Sequence, residues 1–167
     1  VKKCSQVGIS ELMLLRNLAL MSLREPFNII HALPTSVFAQ KISRTRVDPL
    51  LQGSPYLAAR VNKALDNASV KQIGHSFLYL NGTYGGSATS SISIPADLIC
   101  VDEVDFCDPE VVSNLQSRLT ASAYRGWAYV STPTLPNYGV DGKFNGSRRY
   151  FNHCRCNHCG DWFIPNW

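Results

Sequence analysis

No stretch of this chain approaches the roughly 20 consecutive apolar residues that a membrane span needs, although hydrophobic residues make up 45% of its 167. Val1 to Ser10 is polar and the apolar stretch after it is amphipathic, so neither a secretory leader nor a membrane anchor is expected. Clustered charge of either sign is also missing. Only 17% of residues are charged and the net charge is +4, which permits contact with a polyanion without demanding it. A disulfide framework is excluded by the cysteine spacing. Cys4, Cys100 and Cys107 are scattered, whereas Cys154, Cys156 and Cys159 are close together, a distribution that suits a reducing compartment and one metal knuckle. The length fits a single soluble globular domain.

The most informative stretch is Asp97-Leu98-Ile99-Cys100-Val101-Asp102-Glu103-Val104-Asp105. A short apolar run ending in carboxylates predicts a strand buried on both faces of a parallel sheet, its acidic tip at the carboxyl edge where such sheets bind ligands. Adjacent carboxylates there divide the work of nucleoside triphosphate hydrolysis, Asp102 holding Mg²⁺ and Glu103 polarising the attacking water. The plain alternative is a buried strand running into a solvated acidic turn.

Near the start, the spacing of Leu12, Leu14, Leu15, Leu18, Met21 and Leu23 predicts a helix from about Gly8 or Ser10 to Arg24. A glycine-containing loop entering a helix cradles phosphate, because free N–H groups and the helix dipole both face the anion. Measured against G-x-x-x-x-G-K-[ST], the loop keeps Gly8 and Ser10 but has Ile9 in place of the lysine and Lys3 in place of the first glycine.

Further along, Phe27 to Leu33 predicts a strand closed by Pro34-Thr35, and Ser36 to Arg46 a helix whose Lys41, Arg44 and Arg46 read as a solvated face. Val70 to Ile73 and Phe77 to Leu80 are strand-like. The Gly/Ser-rich run 81–95 reads as a connecting loop, and His31 and His75 as packed imidazoles on apolar strands. Asp108 and Pro109 open a helix reaching Leu119. Trp127 to Val130 forms a short strand into Ser131-Thr132-Pro133, and 135–149 reads as a long exposed loop. Cys156-x-x-Cys159-Gly160 is half a zinc knuckle; the remaining ligands come from Cys154, His153 or His158 nearby, or from a second pair downstream.

Taken in order, Lys3-Cys4-Ser5-Gln6-Val7-Gly8-Ile9-Ser10, the strand ending in Pro34-Thr35, Asp102-Glu103, Ser131-Thr132-Pro133 and Cys156-x-x-Cys159-Gly160 resemble the ATPase domain of lambda-like (GpA family) bacteriophage terminase large subunits, from Lys2 to Trp162. The resemblance implies an α/β P-loop NTPase of the ASCE type, a mostly parallel sheet flanked by helices. It also implies an ATPase core over 1–149 and the start of a zinc-ribbon-like segment over 150–167.

In that family the lysine of the phosphate loop is displaced to its start, so Lys3 would neutralise phosphate charge. Residues Lys3, Cys4, Ser5, Gln6, Val7, Gly8, Ile9 and Ser10 would bind ATP, with Ser10 and Asp102 on Mg²⁺ and Glu103 aligning water. Ser131 and Thr132 would form motif III, coupling hydrolysis to DNA movement, and Cys154, Cys156 and Cys159 are the local zinc ligands. Gln6 stands where some relatives carry a catalytic arginine, so that role does not transfer. Arg44, Arg118 and Arg125 compete for the trans-acting arginine.

The implied parent packages double-stranded DNA into a prohead in the host cytoplasm, with a small terminase subunit, a portal and a homo-oligomeric ring as partners. Its strand carrying the phosphate loop and its adenine-contacting segment are expected before residue 1, and a nuclease domain after residue 167. Two alternatives stay open: a helicase-like ATPase, which normally keeps its lysine after the second glycine, and a non-catalytic zinc-ribbon module that binds nucleic acid.

Overall fold

The computed structural model describes residues 1–84, 94–151 and 153–164. The acidic strand is its centre: β4, Leu98–Asp102, is buried at every position. Burying each Leu, Ile or Val side chain contributes roughly 1.5–3 kcal/mol, so the apolar run fixes where the two carboxylates emerge. On one side β4 pairs in parallel with β1 (Ile29–Thr35), on the other with β5 (Gly126–Val130). Beyond β1 lie β3 (Ser76–Tyr84), also parallel, and then β2 (Val70–Ile73), antiparallel, giving the order β2-β3-β1-β4-β5. The sheet does not stop at β5. Lys2 bridges Ser131 in parallel, and the Lys3 N–H donates to the Ser131 carbonyl at 3.0 Å. The phosphate-loop candidate therefore leaves the sheet beside β5, one strand from β4.

Helices cover both faces. On one, α1 (Ile9–Leu23) contributes Leu14, Leu18 and Met21, and α2 (Ser36–Ile42) with α3 (Asp48–Gly53) contributes Ala39, Ile42 and Leu51. On the other, α5 (Pro109–Leu115) packs Val112 and Leu115 against Ile30, Ile99 and Val101. A short α4, Pro55–Ala58, follows α3. Capping obeys local chemistry: Thr35 Oγ1 accepts from the Phe38 N–H and Asp108 from the Glu110 and Val111 N–H groups.

Several elements depart from the sequence reading. The helix begun at Ser36 does not end near Arg46; Ser43–Val47 is a π-helical turn that leads directly into α3. The helix expected through Leu119 tightens to 3₁₀ geometry over Gln116–Leu119. The exposed loop expected over 135–149 contains α6, Gly139–Asn145, with Val140 and Asp141 buried. Long-range bonds organise that turn-rich sequence, and periodicity cannot register them. His75 is exposed in the turn between β2 and β3 rather than packed on a strand. Most of the Gly/Ser-rich run, 85–93, lies outside the described residues.

Lys71 marks the strongest polar anchor on the α3 side. Its ammonium, almost fully buried, pairs with Asp48 at 2.7 Å and Asp66 at 2.5 Å. Burial pulls its pKa down, but the two carboxylates together outweigh that and hold it raised.

Candidate functional site

The carboxyl edge of the sheet opens into a cavity of about 750 Å³ lined by the loop residues Lys3, Ser5, Gln6, Val7, Gly8, Ile9 and Ser10 and, from other elements, by Glu103, Thr132, Arg46 and Phe106. The topology brings these together. Segment 1–3, β5 and β4 are successive parallel neighbours, so their carboxyl ends stand side by side. Gly8, at φ 76, turns the loop into α1 in the left-handed region that glycine tolerates. No side chain caps the α1 N-terminus, which leaves its first amides and the positive end of its dipole facing the cavity.

Across the cavity, Lys3 Nζ pairs with Glu103 Oε1 at 2.8 Å, joining the beginning of the loop to the tip of β4, a hundred residues further along the chain. The Lys3 side chain is only 8% exposed, so this ammonium is shielded and directed. Glu103 is held in a conformation unusual for its type: φ is 54°, where Cβ crowds the backbone at a cost of about 1–2 kcal/mol. Its N–H donates to Asp102 Oδ1 at 3.0 Å, and Ser131 Oγ stands 3.5 Å from its other carboxylate oxygen. The strained turn ends β4 at Asp102 and rotates Glu103 out of the strand into the cavity. A continuous strand through Asp105, the simplest extension of the sequence pattern, would not do so.

Asp102 is buried at the strand end. Behind it the fully buried His31 on β1 faces Asn17 of α1, Nδ1 to Nδ2 at 3.2 Å. Burial lowers the imidazole pKa and the Asp102 charge opposes that shift without cancelling it, so His31 stays neutral. The packed, hydrogen-bonded reading of this histidine holds. Cys107, whose thiol contacts the Asp102 and Glu103 carbonyls, is pushed by burial up to about 12, as is Cys100, and neither is a thiolate at neutral pH.

Asp105, two residues past Glu103, is a residue for which sequence reasoning found no task. Its carboxylate accepts from the Thr134 N–H and hydroxyl, both at 2.9 Å, and from the Val140 N–H at 2.8 Å. Gly139, at φ 49, packs so closely on it that a Cβ would lie 2.3 Å from Oδ1. Asp141, one residue after Val140, pairs with Lys2 at 2.6 Å. Segment 134–141 is thereby tied to the acidic turn through Asp105 and, through Lys2, to segment 1–3 that leads into the loop 3–10. The signal available was the last carboxylate of the run Asp102-Glu103-Val104-Asp105, whose spacing does not reveal what it binds.

The candidate arginines separate. Arg125 precedes β5 and donates to the Ser122 and Thr120 carbonyls, and the Arg118 carbonyl accepts from the Ala96 N–H just before β4; both lie at the amino edge, opposite the cavity. Arg44 is exposed on the π-helical turn and does not line the cavity. Arg46, read as part of a solvated face, does.

At the other end of the chain, β6 (Cys154–Arg155) and β7 (Trp162–Phe163) form a small antiparallel hairpin. The Gly160 N–H donates to the Cys156 carbonyl, and Gly160 is left-handed at φ 80. The backbone N–H of Cys159, then that of His158, lower the Cys156 thiol pKa. Among the described residues, no group of three or more His, Cys, Asp or Glu side chains is gathered to hold a metal. No described helix is long and apolar enough to cross a membrane.

Comparison with known proteins gives the family and the fold. The family model described as phage terminase large subunit gpA, ATPase domain, matches residues 1–167. Solved structures with a similar fold include the large terminase of a thermophilic bacteriophage, at TM-score 0.68 and 16% identity, covering 85% of this chain and 35% of that one. The same protein in complex with ADP aligns at TM-score 0.68 and 16% identity over 87% of this chain and 36% of that one. The HK97 bacteriophage large terminase aligns at TM-score 0.73 and 12% identity, covering 87% of this chain and 31% of that one. At these identities the structures show the fold, and the chain spans about a third of their length. No curated protein sequence matches.

Proposed function

Because the chain belongs to the family of phage terminase large subunit gpA ATPase domains, we propose that it is the motor module that hydrolyses ATP with Mg²⁺ to drive double-stranded DNA into a prohead. The observation that carries this reading is the 2.8 Å Lys3–Glu103 pair inside the cavity that Gly8 and Ser10 also line. A phosphate-neutralising cation, a loop of free amides and a carboxylate able to orient water are the components phosphoryl transfer needs, since its catalysis is mostly positioning and electrostatics. The large terminase of the thermophilic bacteriophage, solved in complex with ADP and with ATP-gamma-S, supports nucleotide as the occupant.

In this reading Lys3 exchanges the Glu103 carboxylate for phosphate oxygens, which frees Glu103 to accept a hydrogen bond from the attacking water. Amides of residues 5–10 cradle the phosphates. Asp102 and the Ser10 hydroxyl would hold Mg²⁺, since a carboxylate and a hydroxyl are oxygen donors that suit a hard cation. Bound there, it would supply charge neutralisation of the phosphates. Ser131 and Thr132 report the state of the phosphate end, and Asp105 passes it to segment 134–141. DNA contact is to phosphates, independent of sequence and sensitive to salt.

The residues divide into an ATPase core over 1–149 and a knuckle over 150–167, in which Cys156 and Cys159 bind Zn²⁺ with Cys154 or with further ligands from elsewhere in the protein. The protein works in the host cytoplasm as a ring with a small subunit and portal, and an endonuclease completes it. Loss of the lysine after the second glycine favours the packaging motor over a helicase-like ATPase. The test is Glu103→Gln in the full-length protein: ATP binding persists and turnover disappears, whereas undiminished turnover would contradict the role of Glu103.

A further inference from the structure

We infer that Arg46 is a phosphate-contacting residue acting within its own subunit, reading the terminal phosphate of the bound nucleotide. The inference rests on the ATP-site reading above and adds a residue to it. Among the described residues lining the cavity, the only cations are Lys3 and Arg46, set against two carboxylates, Glu11 and Glu103. Lys3 is committed to Glu103 at 2.8 Å. The Arg46 side chain forms no hydrogen bond or ion pair with any described residue, Glu11 included, so its guanidinium is the one unassigned cation among the described residues at the site. A triphosphate brings more negative charge than one lysine neutralises, and a planar guanidinium suits phosphate oxygens through paired N–H donors.

Its position on the chain selects which phosphate. Arg46 sits on the π-helical turn Ser43–Val47, between α2 and α3, on the sheet face that α1 also covers. These elements follow β1, which lies on the far side of β4 from the phosphate loop. Glu103, which in the reading above aligns the attacking water, lines the same cavity, so a side chain entering from there would meet the phosphate that this water attacks. The wide turn also has a structural effect. π-helical turns insert an extra residue into a helix and recur at functional sites. Here the turn buries Ser43 and Val47 while leaving Arg44, Thr45 and Arg46 outside the core.

The experiment compares the affinities of ADP and a non-hydrolysed ATP analogue for the full-length protein and its Arg46→Ala variant, by titration calorimetry, together with turnover. A contact to the terminal phosphate predicts that Arg46→Ala loses about tenfold or more in affinity for the triphosphate, leaves ADP affinity within about twofold, and lowers kcat by on the order of a hundredfold. Arg46→Lys should recover part of the triphosphate affinity and little of the rate. If Arg46→Ala does not fold, Arg46→Gln carries the same comparison. An unchanged ratio of the two affinities, or an equal loss for both nucleotides, overturns the assignment while leaving the ATP site standing. Failure of the unmodified protein to bind either nucleotide overturns both.

Discussion

The two edges of one sheet use polar side chains in opposite ways. At the amino edge they are saturated. Asp97 accepts from the Asn28 N–H at 2.8 Å and the Ser122 hydroxyl at 2.6 Å, Asn28 Oδ1 accepts from the Phe77 N–H, and Ser76 Oγ bridges the Phe27 N–H and the Met21 carbonyl. Each bond ties one chain segment to another. At the carboxyl edge the same kinds of group are left uncapped, strained or paired across a cavity: the amides opening α1, Glu103 in the left-handed region, Lys3 on Glu103, and Arg46 with no partner among the described residues. Saturated networks hold a fold, and stored polar capacity awaits a ligand.

Substitutions at the two edges should therefore separate stability from activity. The largest effect is expected from Glu103→Gln, which removes the proposed water-aligning carboxylate while preserving shape: steady-state turnover falls by about 10²–10⁴-fold, equivalent to about 3–5 kcal/mol, with the unfolding midpoint hardly moved. Asp97→Ala is its counterpart at the opposite edge. Losing acceptors for a backbone N–H and a hydroxyl costs about 2–4 kcal/mol in denaturant unfolding, with nucleotide affinity unchanged in the folded fraction. A large loss of affinity with intact stability would erase the contrast between the edges. Lys3→Ala should weaken nucleotide binding by at least about tenfold, about 1.4 kcal/mol, in a fluorescent-nucleotide titration.

Asp105 connects the comparison to mechanism, since it is a saturated residue located at the active edge. Asp105→Asn cannot accept from Thr134 and Val140 as a carboxylate does, and it should loosen segment 134–141 without touching nucleotide. The expected signature is faster hydrogen exchange at the Thr134 and Val140 amides, with nucleotide affinity retained. Protection left as it was would remove the proposed link.

The smallest effect concerns pH. Because burial holds the pKa of His31 below its ordinary 6.5, the unfolded chain binds the extra proton. Its contribution is therefore complete above about pH 6.5 and is lost as pH falls below it. Thermal unfolding should show stability lost as pH falls below about 6.5, a loss that flattens in His31→Asn. An unchanged slope in that variant would assign the titration to another group.

Much of the site could be read directly because its signals are local. The apolar run into Asp102-Glu103 and the glycine turn at Gly8 each depend on neighbours within a few residues, and the structure brings both to one edge of the sheet. Arg46 and α6 could not be read in the same way. Arg46 has the pattern of a solvated helix residue, and only the packing of α1 beside α2 and α3 turns that surface toward the phosphate loop. Segment 135–149 has the composition of a loop, and its helix depends on Asp105 and Lys2, which lie tens to more than a hundred residues away.

By itself, the sequence determined the strands, the principal helices and the family resemblance, because hydrophobic period, capping and glycine turns act over short range. The tertiary structure alone decided which charges meet. The parallel order of segment 1–3, β5 and β4 sets Lys3 against Glu103, and a left-handed residue at the strand's end turns the carboxylate inward. Such pairings depend on strand order and on backbone strain sustained by surrounding contacts, and neither is written in any local run of residues.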